Sequence, residues 1–290
     1  RAVDALRDTV DLLHSEPLPG LPSLTGGLVG YLTYDAVRSW EKVPDENPDP
    51  LGLPELGLLL ATDLAVLDHA DGSVLLVANA INYDATDDNI DAAWNDAVAR
   101  LDVMQGQLAV PRPPAVSTYD SGVTPDVTSW TAREDYLALV ERAKEYIRAG
   151  DAFQIVGSQR FSTPCPAPAL DVYRVLRTIN PSPYMYLIRV PVDDGNAPDD
   201  ARGALSEQTA FEIVGSSPEA LVRVTDGHCV MHPIAGSRPR GETPEADAAY
   251  AEELSKELGI LGETRTQTRL ARTLAHLWVS DMLAYRSQWA

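Results

Sequence analysis

Two short turns constrain the fold of this chain more than any other feature of its sequence. The Ala-Asp-Gly turn at 70–72 and the Asp-Gly turn at 226–227 each lie between two apolar runs rich in β-branched residues. Such runs joined by a glycine-containing turn predict β-hairpins, whose two strands are antiparallel. Helical patterns come in separate blocks and do not alternate with single strands. The sequence therefore predicts an α+β fold with largely antiparallel sheets.

Regular spacing of apolar residues predicts the remaining elements. Apolar residues recur at helical intervals in three segments, which begin at Val3, Ile90 and Tyr136. Each of these segments predicts an amphipathic helix. The apolar and β-branched segments 153–161 and 185–190 predict strands.

The third predicted helix carries its own start and stop signals. Thr131 and Glu134 form a T-x-x-E pattern, which predicts a capping box at the start of the helix. Gly150 follows the last apolar position and predicts the end of the helix.

Residues 106–129 separate the two halves of the chain. The segment contains four prolines among serine, threonine and glycine, and its apolar residues show no period. This composition predicts a linker or a crossing loop. We therefore divide the chain into a region at 1–105, this linker, a second region at 130–255 and a tail at 256–290.

The charge of the chain limits its partners. The formal net charge is -20 and the pI is near 4.5. Phosphate-rich surfaces repel such a protein, so we expect neither nucleic acid nor a membrane as a partner. A small dianionic substrate remains compatible, because a few cationic groups and helix termini in one cleft can outweigh the global charge locally.

Cysteine and histidine usage argues against a disulfide framework and gives no metal ligands. Cys165 and Cys229 lack metal-ligand spacing, as do the five histidines, so we assign no metal site. The opening segment is charged throughout and has no apolar signal-peptide core, which favours a cytoplasmic location. Because the chain begins with Arg1 and not with methionine, we expect the true start to precede it.

The densest candidate binding site is the segment 233–241, PIAGSRPRG. Its glycines and Ser237 offer hydrogen-bond donors, and Arg238 and Arg240 offer guanidinium groups suited to carboxylates. A tight turn with solvated arginines explains the same residues equally well. The composition leaves both interpretations open.

Three further positions are candidates with ordinary alternatives. Glu219 in the string GSSPE lies just before a predicted strand, from which a carboxylate can project into a cleft. Most glutamates are solvated surface residues, however. Gln154 alternates with apolar neighbours and fits either a buried or an exposed amide. The run 180–185, NPSPYM, has the composition of a loop between a helix and a strand.

Five strings carry a family resemblance because they occur in order and at plausible spacing. Together they resemble the chorismate-utilising enzyme family, and within it the large subunits of anthranilate synthases. The resemblance covers roughly 1–256, is interrupted by an acidic, insertion-like loop, and implies a sandwich of largely antiparallel sheets flanked by helices. The five strings lie at 25–38, 143–161, 180–186, 212–224 and 233–245.

The resemblance implies an activity and a set of residues for it. In the family, ammonia adds to chorismate, the ring hydroxyl leaves, and pyruvate is eliminated to give anthranilate, the first committed step of tryptophan biosynthesis. A departing hydroxyl needs a proton, and Glu219 matches the family's general acid. Gly236 and Ser237 match the pair that contacts chorismate. Serine replaces the more common threonine there and keeps the hydroxyl donor.

Two positions favour anthranilate synthesis over the other activities of the family. Gln154 matches the place where isochorismate and salicylate synthases carry a basic lysine, and a neutral amide cannot deprotonate water. Ala235 matches the place where aminodeoxychorismate synthases carry a nucleophilic lysine. Isochorismate and aminodeoxychorismate synthesis remain the enzymatic alternatives. A catalytically dead module that binds tryptophan or a partner is the alternative from another class.

The resemblance also implies an effector and a partner. Pro183, Tyr184 and Met185 match the family's binding loop for tryptophan, the feedback inhibitor. The other half of that pocket comes from a motif expected before Arg1. Ammonia comes from glutamine through a glutamine amidotransferase small subunit.

The resemblance ends near 256, and the tail at 256–290 carries arginines and no family motif. A helix is one interpretation of this tail, and a shifted reading frame is the one we favour. We expect a fragment that lacks the family's N-terminal and C-terminal segments. The ligands of Mg²⁺, the family's cofactor, belong to the missing C-terminal part, so we expect the fragment alone to be inactive and to expose apolar surface.

Overall fold

The computed structural model describes residues 2–257 apart from Pro17, Pro114, Phe153, Arg240 and the segments 193–207, 226–227 and 232–238. The sites predicted at Ala235, Gly236 and Ser237 therefore lie outside the described residues. The helices are α1 (Ala2–Leu13), α2 (Ile90–Leu108), α3 (Arg133–Ala149), α4 (Ala169–Ile179) and α5 (Pro244–Glu257). The strands are β1 (Gly27–Leu32), β2 (Leu56–Ala61), β3 (Asp63–Leu67), β4 (Val74–Ala78), β5 (Thr128–Ser129), β6 (Phe161–Ser162), β7 (Tyr184–Pro191), β8 (Thr209–Ser217), β9 (Arg223–Thr225) and β10 (His228–Val230).

The strands pair two by two, as β1–β2, β3–β4, β5–β6, β7–β8 and β9–β10. The residue registers show that β1–β2, β3–β4, β5–β6 and β9–β10 are antiparallel. For β7–β8, Ser182 is bonded to Ser217 and Arg189 to Glu212. Residue numbers therefore increase along one strand while those of their partners decrease along the other. This pair is antiparallel too. The predicted α+β class with antiparallel sheets is confirmed.

Contacts between residues divide the chain into two compact units. The described residues of unit 1 fall within Arg1–Trp40, Asp49–Val116 and Ile188–Glu212. Those of unit 2 fall within Glu41–Pro48, Ser117–Leu187 and Ile213–Ala290. The division of the chain at 106–129, drawn from its composition, stays a prediction.

Unit 1 contains the first predicted hairpin. β3 and β4 pair from Asp63 opposite Ala78 to Leu67 opposite Val74. Gly72 closes the turn with a positive φ of 75°, a conformation that glycine adopts without steric cost. Its N–H donates to the carbonyl oxygen of Asp68 at 2.8 Å. The turn chemistry read from the sequence is confirmed.

One asparagine links the β1–β2 pair to the β3–β4 hairpin. The Nδ2 of Asn79 donates to the carbonyl oxygens of Thr25 at 2.8 Å and Thr62 at 3.0 Å. The carbonyl oxygen of Asn79 accepts a 2.7 Å hydrogen bond from Arg100 of α2, which also bonds Asp63. The start of β1, both ends of the β3–β4 hairpin and α2 are therefore tied at one point.

In unit 2, α3 starts one residue later than a capping box requires. Ala132 is the N-cap residue and makes no side-chain cap bond, so the predicted capping box of Thr131 and Glu134 is wrong. The carbonyl oxygen of Thr131 instead accepts hydrogen bonds from Ser129 and Gln159. The predicted stop is confirmed, because Gly150 caps α3 in the left-handed conformation at φ 85°.

The strand predicted at 153–161 is largely absent from the described residues. Only Phe161 and Ser162 pair, with Ser129 and Thr128, and 154–160 have no regular structure. A strand needs a neighbour for its backbone hydrogen bonds, and β5 supplies one for two residues only. Apolar alternation alone did not reveal that limit.

Burial within the described ranges is limited to a few apolar residues. The buried ones are Ala36, Val37, Ala97 and Ala143, whereas Trp94 is 65% exposed. Helix α2 is confirmed, but the residue it buries most is Ala97 rather than Trp94. Every helix in the described ranges is too short or too polar to span a bilayer.

Candidate active site

The structure brings two of the resemblance strings into direct contact. Ser182, in NPSPYMY, donates its hydroxyl proton to the carbonyl oxygen of Ser217 in GSSPE at 2.7 Å. Ser216 donates in the opposite direction, to the carbonyl oxygen of Asn180 at 2.8 Å. The segment before β7 and the end of β8 are therefore held side by side, and both belong to unit 2.

Glu219 lies two residues beyond the end of β8. Its carbonyl oxygen accepts a hydrogen bond from the Ser217 hydroxyl at 3.1 Å. Its side chain is half-buried, and within the described residues its carboxylate has no hydrogen-bond or salt-bridge partner. The hydrogen bond from Ser217 thus anchors the backbone of Glu219 just beyond the end of β8.

A tyrosine on β7 covers β8 close to this turn. Tyr186 lies across from Gly215, where a Cβ atom would be 2.1 Å from the ring carbon Cζ. Only a glycine leaves room for the ring. The Gly of the GSSPE string thus has a packing role in the strand that leads to Glu219.

The predicted tryptophan-binding residues lie at the start of the same pair of strands. Pro183 is exposed just before β7, and Tyr184 and Met185 are its first two residues. Tyr184 is 46% exposed, whereas Met185 is half-buried. Their neighbour Ser182 is the residue that bonds Ser217, so the predicted effector segment and the predicted catalytic turn are adjacent in space.

The structure does not join Gln154 to Glu219. Gln154 is exposed in the irregular segment that follows α3. No hydrogen bond links its side chain to Glu219 in the part of the chain that the structure describes. Its role in selecting ammonia over water stays a prediction.

No metal centre is found among the described residues. They contain no group of three or more His, Cys, Asp or Glu side chains that could hold an ion. We therefore assign no Mg²⁺ ligand to a described residue, and we derive no chemical step through the ion.

A cleft of about 330 Å³ lies in unit 1 and contains none of the predicted site residues. Its charged lining residues are Arg38 and Glu55, and the guanidinium of Arg38 is paired with Asp35 at 3.0 Å. The remainder of the lining is Ser39 with apolar side chains. These residues match none of the chemistry that the sequence predicts.

Ser182, Ser216 and Ser217 were missed by the sequence analysis. Each hydroxyl binds a backbone carbonyl oxygen in the turn region. Ser182 and Ser217 each precede a proline at the edge of a strand, a position where serine commonly bonds the backbone. That signal was present in both strings.

The family follows from comparison with known proteins. A sequence profile described as chorismate binding enzyme matches residues 2–273 of the 290. The chain belongs to the chorismate binding enzyme family. The family match includes the strings with Glu219 and Ser217 and continues past 256.

Individual members of the chorismate binding enzyme family show the same relationship. Anthranilate synthase component 1 of Mycolicibacterium smegmatis is 50% identical over 252 residues, which cover 87% of this chain and 46% of that protein. The protein of the same name from Pseudomonas putida is 40% identical, with 82% and 44% covered. The chain thus spans about half the length of the curated relatives it matches.

A solved structure has the same fold. The crystal structure of anthranilate synthase component I from Streptococcus pneumoniae superposes with a TM-score of 0.63 at 26% sequence identity. The match covers 95% of this chain and 54% of that one. The α+β architecture predicted from the sequence is confirmed by this likeness.

Proposed function

We propose that this chain is part of an anthranilate synthase, which converts chorismate and ammonia to anthranilate, pyruvate and water. The observation that carries the proposal is the 50% identity over 252 residues to a protein named anthranilate synthase component 1. Because the chain spans 46% of that protein, the activity is assigned to the whole enzyme and not to this segment alone.

Glu219 is the general acid of the proposed reaction. A carbon–nitrogen bond forms on the ring of chorismate as the carbon–oxygen bond to its hydroxyl breaks. Glu219 gives its proton to that oxygen, which leaves as water. Support comes from its half-buried side chain, which has no partner among the described residues and starts from an anchored backbone. Loss of the enolpyruvyl side chain as pyruvate, together with a ring proton, then makes the ring aromatic.

The remaining predicted residues complete the proposal. Gly236 and Ser237 contact chorismate, and the neutral amide of Gln154 disfavours water as the nucleophile. Pro183, Tyr184 and Met185 contribute to a tryptophan site. Mg²⁺ neutralises a carboxylate of chorismate when bound.

We also propose the partner and the compartment of the whole enzyme. A glutamine amidotransferase subunit supplies ammonia, a role consistent with the word component in the names of the relatives. The acidic composition and the charged opening segment favour the cytoplasm.

Product analysis tests this function. The 290-residue chain is incubated with chorismate, Mg²⁺ and ammonium, and anthranilate is detected by its fluorescence. A chimera, in which the matched residues of this chain replace their counterparts in the Mycolicibacterium smegmatis relative, is assayed in parallel with that relative unchanged.

Anthranilate and pyruvate in equal amounts from the chimera are the expected result. Isochorismate or aminodeoxychorismate as the product would replace the proposal with one of the other family activities. A folded chimera that binds chorismate or tryptophan but forms no product would identify the chain as a binding module.

A further inference from the structure

Three hydrogen bonds fix the turn that carries Glu219 to the neighbouring strand. The carbonyl oxygen of Ser217 accepts from the hydroxyl of Ser182, and the hydroxyl of Ser217 donates to the carbonyl oxygen of Glu219. Ser216 and Asn180 form the third bond. Ser217 therefore accepts a hydrogen bond from the segment just before β7 and donates one to the backbone of Glu219.

The residue between Ser217 and Glu219 restricts the turn further. The ring of Pro218 fixes its φ angle at about −65°. With the Ser217 carbonyl and the Glu219 carbonyl both bonded, few backbone rotations remain between the end of β8 and the Cα of Glu219. The two bonds of Ser217 are half-buried, so water competes for their donors and acceptors less than it does at the exposed bond of Ser216.

We propose that Ser182 and Ser217 are positioning residues for Glu219, which they hold at the place from which it protonates the departing hydroxyl. The inference rests on the proposed function, because it assigns a role within that reaction. Neither serine touches the reacting atoms. Displacement of a catalytic group by about 1 Å can lower a rate about a hundredfold, so bonds at this turn are able to govern turnover.

The first test measures the turn in the 290-residue chain and needs no activity. Backbone amide exchange with deuterium is followed by mass spectrometry in a peptide that covers 216–221. Ser182→Ala and Ser217→Ala should speed exchange in this peptide. The control Ser216→Ala removes a hydroxyl from the same strand but leaves both bonds of Ser217 in place.

The second test measures turnover in the chimera. Ser217→Ala and Ser182→Ala should lower kcat about tenfold or more, while the KM for chorismate stays within about threefold, because Glu219 acts on the transition state. Ser217→Thr keeps the hydroxyl and should restore kcat to within about threefold of the parent.

Three outcomes overturn the inference. If the alanine variants keep the parent's kcat, or if Ser216→Ala lowers kcat as much, the serines only stabilise the pair of strands. If the unsubstituted chimera is folded and forms no anthranilate, the proposed function fails and the positioning role fails with it. The two failures are distinguished by the activity of the unsubstituted chimera.

Discussion

The hydroxyl of Ser182 donates a 2.7 Å hydrogen bond to the carbonyl oxygen of Ser217, across a separation of 35 residues in sequence. Through this bond the string NPSPYMY meets the string GSSPE. The first contains the residues proposed to bind tryptophan, and the second contains the proposed general acid. The segment proposed to bind tryptophan is therefore hydrogen-bonded to the turn that carries Glu219.

Gly215→Val should destabilise the β7–β8 pair. A Cβ at this position would lie 2.1 Å from Tyr186 Cζ, so the ring must leave its place. Such overpacking costs about 1–3 kcal/mol, which thermal or urea unfolding can measure. Gly106→Ala is the matched control, because nothing lies within 4 Å of its added Cβ. It should leave stability unchanged or raise it by up to about 1 kcal/mol. Equal stability of the two variants would contradict the packing role of Gly215.

Asn79→Asp should loosen unit 1. The change replaces the amide donor with a carboxylate that faces the carbonyl oxygens of Thr25 and Thr62. Loss of these half-buried hydrogen bonds should lower the free energy of unfolding by about 1–3 kcal/mol. Asn82→Asp serves as the control, because the Nδ2 of Asn82 donates an exposed bond to Thr86 and its Oδ1 accepts a long one of 3.4 Å from Asn89. A loss no larger than that of the control would show that Asn79 does not join the β1–β2 pair to the β3–β4 hairpin.

We expect the stability of the chain to depend on pH through Asp171, at the start of α4. The Ser117 hydroxyl, followed by Arg174, stabilises the ionised carboxylate and holds the pKa of Asp171 below its ordinary value. Because the pKa is lower folded than unfolded, this stabilisation is present above the unfolded pKa of about 3.9 and is lost as pH falls through the folded pKa.

The Asp171 carboxyl carbon can be titrated by NMR in the folded and the urea-unfolded chain. The folded midpoint should be the lower of the two, and Ser117→Ala should raise it. Identical midpoints in the folded and unfolded chain would contradict the hydrogen bond.

Met185→Thr should weaken tryptophan binding in the chimera without lowering turnover in the absence of tryptophan. Met185 is half-buried at the start of β7, and threonine removes apolar contact surface there. Calorimetry with tryptophan gives the affinity, and the anthranilate assay gives the turnover. Unchanged affinity would show that this segment is a connection only.

The hairpins were predictable because their signals are local. The glycine-containing turn at 70–72 and the helix stop at Gly150 depend on conformations that a few neighbouring residues specify. The predicted start of α3 was wrong by one residue, because the T-x-x-E pattern begins at Thr131 whereas the N-cap is Ala132.

The contacts of the candidate site were not predictable in the same way. The bond between Ser182 and Ser217 depends on the register of two segments that are distant in sequence. The roles proposed for Glu219 and Met185 come from the family resemblance, which preserves motifs but does not state what holds them. The strand expected at 153–161 failed because pairing depends on a partner that apolar spacing does not reveal.

The most direct measurement of the central claim is the rate of anthranilate formation by the chimera with Glu219→Gln. Glutamine keeps the shape of the side chain but cannot give up a proton, so kcat should fall at least about a hundredfold while chorismate affinity stays within about tenfold. Glu212→Gln, the same change at a β8 carboxylate paired with Arg189, should retain activity. If Glu219→Gln forms anthranilate at the parent's rate, Glu219 is not the general acid and the account is wrong.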